Sequence, residues 1–156
     1  MPSRMITIST LLILLAVGCG PVKGYPGPGR PASQLVSIQP NPFWSQIGVV
    51  VTGVDELKVQ AEMSIVVLPG TRTLHLRLQP YSRIEASRAS GPEAQMQAMY
   101  DVEWQTPATW KVDLQSGMQY ALSGSWLEDE YQLELQDAEK RTVIQSLRVP
   151  ATRRRP

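Results

Sequence analysis

The sequence predicts an all-β fold, an antiparallel β-sandwich or small barrel of about eight or nine short strands. Three observations support this fold class. Apolar and polar residues alternate in several short segments, turn-forming residues separate those segments, and no long segment has the 3.6-residue period of a helix. Successive side chains of a strand point to opposite faces, so the pattern is typical of sheets with one buried and one solvated side.

The first half of the domain contains four expected strands. Gln34–Ile38 is a short apolar run, and Ile47–Thr52 is rich in β-branched residues. In the segment from Lys58 to Leu68, one face is predicted to carry Val59, Ala61, Met63, Ile65 and Val67. Pro69-Gly70 is a turn signal, and the segment from 71 to 78 then places three leucines together. These last two segments predict a β-hairpin.

The second half begins with Gln79–Met96, which lacks alternation and predicts a long excursion with about one helical turn. Regular alternation then resumes. Further strands are expected over residues 98–104, 108–114, 118–126, 131–135 and 141–149, with turns at Ser116-Gly117 and 137–140 between them.

The first eighteen residues have the layout of a secretory leader. Arg4 supplies a positive start, Met5–Val17 is an uncharged apolar run, and Ala16-Val17-Gly18 provides small residues for cleavage. The run is shorter than the roughly 20 residues that a membrane-spanning helix needs. Residues 1–18 are therefore expected to be a signal peptide that is removed.

Cys19, the single cysteine of the chain, follows this leader directly. Gly18-Cys19 resembles the bacterial lipobox, in which the thiol is acylated and the chain is cut just before the cysteine. Ala16 stands where that motif prefers leucine, and an ordinary signal peptide is the alternative because Ala16-Val17-Gly18 also fits a small-x-small site. Two or more acyl chains hold a protein firmly in a bilayer. Lipidated Cys19 would therefore make the bilayer a permanent partner.

The residue after Cys19 indicates which of the two bacterial membranes would hold the anchor. Gly20 stands where Asp retains lipoproteins of enteric-type bacteria at the inner membrane. The resemblance therefore implies anchoring in the outer membrane, facing the periplasm. An inner-membrane anchor or a soluble periplasmic protein are the alternatives.

Cleavage would leave 138 residues, a size that suits one domain. Arg4 is the only charged side chain of the leader, so 14 basic and 14 acidic residues remain, and no nucleic-acid partner is expected. Residues 19–33, rich in proline and glycine, are expected to be a flexible tether. Residues 34–149 form the predicted sandwich, which has no cysteine left for a disulfide, and 150–156 form a basic tail.

Three short motifs carry a resemblance to a protein family: Tyr25-Pro26-Gly27-Pro28-Gly29-Arg30-Pro31, then Val54-Asp55, then Leu68-Pro69-Gly70-Thr71-Arg72-Thr73-Leu74. Together with the lipobox they resemble a family of small uncharacterised proteobacterial lipoproteins. The family has a glycine after Val-Asp, where this chain has Glu56, and a histidine where this chain has Arg72. The third motif is also similar to PEGA-type β modules of envelope proteins. The resemblance implies a location and a fold, without an activity.

Residues with the chemistry of an active site are few. His75 is the single histidine, and alternation places it on the face opposite Leu74 and Leu76. Without a second histidine or a free thiolate, no transition-metal site and no cofactor are expected. The acidic cluster Glu128-Asp129-Glu130 lacks the spacing of a calcium loop and is interpreted as a solvated turn. No catalytic residue is assigned.

Two groups of residues are candidates for interaction. Trp44, near Pro40 and Pro42, is the tryptophan with most freedom to contact a ligand, whereas alternation assigns Trp104, Trp110 and Trp126 to the core. The second group is the run Arg153, Arg154 and Arg155, which could meet anionic headgroups or an acidic partner, or form a solvated end.

These observations favour a non-catalytic envelope lipoprotein, in which a sandwich serves as an interaction or accessory module for an envelope protein. Two alternatives belong to other classes. One is a ligand-binding barrel or sandwich with a pocket for an apolar or sugar ligand. The other is a cell-wall or lipid hydrolase that uses His75 with acidic residues.

Overall fold

The computed structural model describes residues 20–79, 92 and 105–151. A short 3-10 helix covers Ala32–Gln34, Pro92 has helical structure, and the remaining regular structure within these residues is β. The strands are β1 (Val22–Lys23), β2 (Val36–Pro40), β3 (Gly48–Val54), β4 (Leu57–Ala61), β5 (Ile65–Val67), β6 (Gly70–Gln79), β7 (Thr106–Leu114), β8 (Gln119–Leu127), β9 (Glu130–Asp137) and β10 (Val143–Pro150).

The strands form two sheets that face each other across one core. The order is β1-β5-β2-β8-β9-β10 in the larger sheet and β4-β3-β6-β7 in the smaller one. Their inner faces bury a single apolar cluster that includes Val36, Ile38, Leu122 and Leu133 from the first sheet and Val49, Val51, Leu74 and Val112 from the second. The predicted sandwich is therefore confirmed, and the strands do not close into a barrel. Two of the pairings, β1 with β5 and β2 with β8, are parallel, so the larger sheet is mixed.

The predicted hairpin of residues 58–78 is wrong. The first of its two segments is split into β4 and β5, which belong to different sheets, and β6 returns to the smaller sheet beside β3 and β7. The chain thus crosses between sheets twice, once at residues 62–64 and once at Leu68-Pro69. Met63, which alternation places on the buried face, lies in the first crossover with its side chain 63% exposed.

Part of the expected tether is built into the sandwich. Val22 and Lys23 form β1, which pairs in parallel with Ile65 and Val66 of β5. Tyr25 follows and is buried, because it is packed against the body of the domain. Residues 19–33 are therefore not a free linker along their whole length.

β7 agrees with the predicted alternation, whereas β8 is buried at every position from Tyr120 to Gly124, on both of its faces. Trp110 is buried as expected, and Trp126 is half-buried with its ring centroid 4.5 Å from that of Tyr131. Glu128-Asp129 forms the two-residue turn between β8 and β9, as interpreted for the acidic cluster. The strand expected over 98–104, which includes Trp104, lies outside the described residues.

The direction of β1 defines two ends of the sandwich. The chain enters β1 from Gly20 and leaves it toward Tyr25, and we name the two ends after these residues. Because β5 runs parallel to β1 and β2 runs antiparallel to β5, the first crossover and the end of β2 lie at the Gly20 end. The second crossover and the turn between β7 and β8 lie at the Tyr25 end.

Candidate functional site

A groove with a volume of about 370 Å³ lies at the Tyr25 end of the sandwich. Three chain segments that are distant in sequence form its walls: the exit from β1, the turn between β3 and β4, and the second crossover. The lining residues are Gly24, Tyr25, Pro26, Val54, Asp55, Glu56, Leu57, Leu68 and Arg72. We call this cavity the Tyr25 groove.

Asp55 links two of these segments. Its backbone φ is +51°, a left-handed conformation that Asp tolerates better than most residues, and it makes the tight turn after β3. Its carboxylate accepts hydrogen bonds from the backbone N of Thr73 at 2.9 Å and from Nη1 of Arg72 at 3.1 Å. Its own backbone N donates to the carbonyl of Thr73 at 2.7 Å. The turn is therefore fixed to the start of β6.

The guanidinium of Arg72 contacts the same junction. Besides the ion pair with Asp55, its Nη2 donates to the carbonyl of Pro69 at 2.7 Å and its Nε to that of Leu68 at 3.2 Å. The guanidinium thus holds the second crossover in shape. Since three of its nitrogens already have acceptors, its main effect on the groove is structural.

Tyr25 forms the opposite wall and is itself held on two sides. The backbone N of Arg30 donates to its hydroxyl at 3.3 Å, and the ammonium of Lys23 lies 4.7 Å from its ring centroid. Lys23 also donates to the carbonyl of Gly27. These contacts fix the conformation of the Pro/Gly-rich segment from Lys23 to Arg30 at the edge of the domain.

His75 lies close to the groove but outside its lining. Its Nε2 is 3.0 Å from the carbonyl oxygen of Asp55, a contact that requires the proton to be on Nε2. Its ring also limits the neighbouring strand, because a Cβ on Gly53 would be 3.1 Å from Cδ2 of His75. The imidazole therefore supports the β3–β6 pairing, on the face that alternation predicts.

The lining of the groove combines apolar and charged side chains. Val54, Leu57 and Leu68 provide apolar surface, Asp55 and Arg72 form an ion pair, and Glu56 adds an exposed carboxylate. Such a site suits an apolar or aromatic group better than an isolated charge. Among the described residues, no group of three His, Cys, Asp or Glu side chains could hold a metal ion.

Trp44 lies in a separate cluster on the loop between β2 and β3. It is half-buried, its ring meets Phe43 edge-on at 4.8 Å, and the guanidinium of Arg141 lies 4.9 Å from its ring centroid and 5.4 Å from that of Phe43. Phe43 is 72% exposed, and the alternation of strands carries no signal for it because it lies in a loop. Cys19 and the three arginines at 153–155 lie outside the described residues.

The structure brings together residues that local sequence patterns leave apart. Leu57, Leu68 and Tyr25 carry no individual signal of a binding site. The three motifs of the family resemblance do contain most of the groove, since Tyr25, Val54-Asp55 and Leu68–Arg72 fall in one motif each.

The part of the chain that the structure describes contains no helix with the length and apolarity of a membrane span. Comparison of the chain with protein-family models, with curated proteins and with solved structures finds no match.

Proposed function

We propose that this protein is a lipid-anchored bacterial envelope lipoprotein whose sandwich is a non-catalytic interaction module. The observation that carries the proposal is the position of Cys19. The only cysteine of the chain stands at the end of a secretory leader and three residues before the first strand of a folded domain. An acyl anchor at that position would join the domain directly to a membrane.

The residue after the cysteine supports an outer-membrane location. Gly20 takes the place of the aspartate that retains lipoproteins at the inner membrane in enteric-type bacteria. The proposed location is therefore the periplasmic face of the outer membrane.

The hydrolase alternative depends on His75. A general base needs a nitrogen that can accept a proton from a nearby nucleophile. Nε2 of His75 donates to the backbone carbonyl of Asp55, which leaves Nδ1 as the ring nitrogen that could accept a proton, and the side chain lies on the face of a strand beside Thr73 and Arg77. A substitution at this residue therefore tests the non-catalytic proposal. Loss of a measurable hydrolytic activity in His75→Ala would contradict the proposal.

The Tyr25 groove is the proposed contact surface for an envelope partner. It has a preformed shape, because the Asp55–Arg72 pair and the hydrogen bond to Tyr25 hold its three walls without a ligand. Preformed walls reduce the ordering cost of binding. The second candidate function, binding of a small apolar ligand, rests on the same cavity.

The anchor is tested by labelling. Cells that express the wild-type chain are grown with radiolabelled palmitate, and the mature protein is analysed by mass spectrometry. We expect acylated Cys19 as the first residue, and a Cys19→Ser variant without label that leaves the membrane fraction. An unmodified thiol at Cys19 in the wild type would overturn the lipoprotein assignment.

The contact surface is tested by photo-crosslinking in the native envelope. A photoreactive amino acid replaces Leu57, which lines the groove, or its neighbour Lys58, whose side chain is exposed outside it. We expect a discrete adduct from position 57 and none from position 58. A protein-sized adduct indicates an envelope partner, and a lipid-sized adduct favours the small-ligand function. Equal adducts from both positions would remove the groove from the proposal.

A further inference from the structure

Phe43 is the most exposed of the large apolar side chains that the structure describes, at 72%. It lies with Trp44 in the loop between β2 and β3, and the two rings meet edge-on with 4.8 Å between their centroids. The guanidinium of Arg141 lies over both rings, 4.9 Å from the centroid of Trp44 and 5.4 Å from that of Phe43. We call these three side chains the aromatic platform.

Hydrogen bonds fix the loop on both sides of the two rings. Before the rings, the backbone N of Asn41 donates to the carbonyl of Leu122 at 3.1 Å. After them, Oγ of Ser45 accepts from the backbone N of Gly124 at 2.9 Å. Both partners belong to β8, so the loop is attached to an interior strand of the larger sheet.

Arg141 reaches the rings from the opposite end of the sheet. It lies in the turn between β9 and β10 at the Tyr25 end, where its backbone N donates to the carbonyl of Asp137 at 2.8 Å. The loop that carries Phe43 and Trp44 begins at the Gly20 end, because β2 ends there. The guanidinium and the rings therefore meet over a face of the sheet. Since the core fills the inner face, the platform lies on the outer face.

The burial of outward-facing residues agrees with this position. Ala121 and Ser123 alternate with the core residues Tyr120 and Leu122 along β8, so they point outward, yet they are only 1% and 6% exposed. Gln136 of β9 is the direct partner of Ala121 and is also buried. This part of the outer face is therefore covered, as expected beneath the platform.

The guanidinium of Arg141 keeps its hydrogen-bonding capacity. An arginine side chain has five N–H donors in one plane. Within the residues that the structure describes, the Arg141 guanidinium has no ion pair and no hydrogen bond, and its contacts are the two rings. The rings thus hold a planar set of donors at the surface.

Two amides on the same face are also held in place. The carboxylate of Glu134 accepts from Nε2 of Gln132 at 2.9 Å and from Nε2 of Gln136 at 2.8 Å. These three residues alternate with the core residues of β9 and point outward. Each amide retains its carbonyl oxygen as an acceptor. The outer face therefore combines an exposed aromatic ring, a planar donor and fixed planar acceptors.

We propose that the aromatic platform and the adjoining amides bind a glycan chain. The proposal depends neither on the lipid anchor nor on the Tyr25 groove. A sugar ring has a flat face of C–H groups that can pack on the exposed ring of Phe43. Its hydroxyl groups can accept from the Arg141 guanidinium and donate to the amide oxygens of Gln132 and Gln136.

A protein is a less suitable occupant of this surface. A stable protein interface buries about 800 Å² on each partner and has an apolar centre. Beside the platform, the outward positions of β8 and β9 are mostly serine, glutamine and glutamate: Ser123, Ser125, Gln132, Glu134 and Gln136. These side chains match hydroxyl groups better than an apolar protein surface.

The experiment measures co-sedimentation of the full-length protein, purified in detergent, with three insoluble glycans: peptidoglycan sacculi, chitin and cellulose. Phe43→Ala removes the exposed ring, and Arg141→Gln removes the guanidinium. Met63→Ala and Lys140→Gln are the matched controls, since Met63 is an exposed apolar side chain in the first crossover and Lys140 is an exposed cation next to Arg141. Thermal unfolding shows that each variant is folded.

We expect the wild type to sediment with at least one of the three glycans. Phe43→Ala and Arg141→Gln should bind that glycan several-fold more weakly, and the two controls should bind it as the wild type does. Sedimentation with none of the three, or an equal loss in the controls, would overturn the proposal.

A protein partner would give a different result. In that case a photoreactive amino acid at position 43 yields a protein-sized adduct in the native envelope, and no glycan retains the wild type. The platform would then be a protein-binding surface, and the carbohydrate proposal would be wrong. The state of Cys19 and the adducts from position 57 are measured separately, so neither outcome changes the proposals on the anchor and the Tyr25 groove.

Discussion

Asp55 shows how much of this domain depends on a single exposed side chain. Its carboxylate joins the turn after β3 to the start of β6, and its backbone carbonyl accepts the contact from His75. The ion pair with Arg72 is partly open to solvent, with 41% of the Asp55 side chain exposed. Exposed pairs contribute little, so the hydrogen bond to the Thr73 amide should dominate.

Asp55→Ala and Asp55→Asn separate the two contributions. Asparagine tolerates the left-handed backbone and can still accept from the Thr73 amide, so Asp55→Asn should lower the free energy of unfolding by about 0.5 kcal/mol. Asp55→Ala loses both contacts and also places alanine in the left-handed region, so it should cost about 2–3 kcal/mol. Urea denaturation measures both. Equal losses would assign the effect to the charge and not to the hydrogen bond.

Among the glycines that the structure describes, Gly124 in β8 leaves the least room for a Cβ. A Cβ at this position would overlap Cγ1 of Ile47 and approach its Cδ1 to 2.6 Å. Gly124→Ala should therefore destabilise the domain by about 1–3 kcal/mol through overpacking. Thermal and urea unfolding of the variant check this value.

Two controls accompany Gly124→Ala. A Cβ on Gly29 meets no atom within 4 Å, so Gly29→Ala should change stability by less than about 0.5 kcal/mol. Ile47→Ala removes the side chain that would clash, and the double variant should lose less stability than the sum of the two single variants. Strict additivity would show that the contact with Ile47 is not the cause.

At the scale of elements, the turn between β9 and β10 is organised by Asp137. Its carboxylate accepts hydrogen bonds from the backbone N of Lys140 and of Glu139, both at 2.9 Å. The bond from Lys140, and then that from Glu139, lowers the pKa of Asp137 from its ordinary value of 3.8, against the opposing effect of burial. The ionised carboxylate is thus the form that stabilises this turn.

The lowered pKa predicts the direction of a pH effect. A carboxyl group whose pKa is lower in the folded state contributes stability above its ordinary pKa, and this contribution is lost as the pH falls through the folded value. The stability difference between wild type and Asp137→Asn should therefore be largest above about pH 5 and shrink below the ordinary value of 3.8. Urea denaturation across this range measures it. Glu139→Gln, an exposed neighbour, is the control, and a constant difference for Asp137→Asn would contradict the prediction.

Several strands, such as β6 and β7, were predictable because one of their faces is buried, yet the pairing of the strands was not. Ile65 and Val67 keep the alternation begun by Val59 and Ala61 although the chain changes sheet between them. Both sheets turn their apolar faces to the same core, so a crossover preserves the alternation that a continuous strand would show. Local periodicity therefore cannot distinguish a hairpin from a change of sheet.

The Tyr25 groove could not be predicted from local sequence patterns for a related reason. Asp55 and Arg72 are separated by 17 residues, and their contact depends on the pairing of β3 with β6. The two-residue strand β1 is too short to show any period, so the segment around Tyr25 reads as a proline- and glycine-rich linker. No local sequence pattern therefore indicated that these segments meet in the fold.

At the scale of the whole molecule, the N-terminal segment is a structural part of the sandwich. Tyr25 is 6% exposed, and β1 covers the edge of β5, whose Ile65 and Val67 are fully buried. Without this segment, the sheet would expose an unpaired edge beside apolar side chains. Residues 20–33 therefore contribute to the stability and the solubility of the domain.

A shortened chain tests this contribution. A protein that starts at Gln34 should unfold at lower urea concentration than one that starts at Gly20, since burial of one aromatic side chain alone is worth about 1.5–3 kcal/mol. It should also aggregate more readily. Equal stability of the two proteins would show that residues 20–33 are a linker after all.

The parallel pairing of β2 with β8 has a consequence for how the molecule is made. Ser37 and Gln119 are direct partners although 82 positions separate them. Contacts between such distant positions slow folding, because the entropy of closing the loop is lost before the strands can pair. In a chain that emerges from its N-terminus, β2 is complete long before β8 appears, and one of its edges stays open in the interval. Folding yield during synthesis is therefore expected to depend on how well this open edge is protected until the last third of the chain is made.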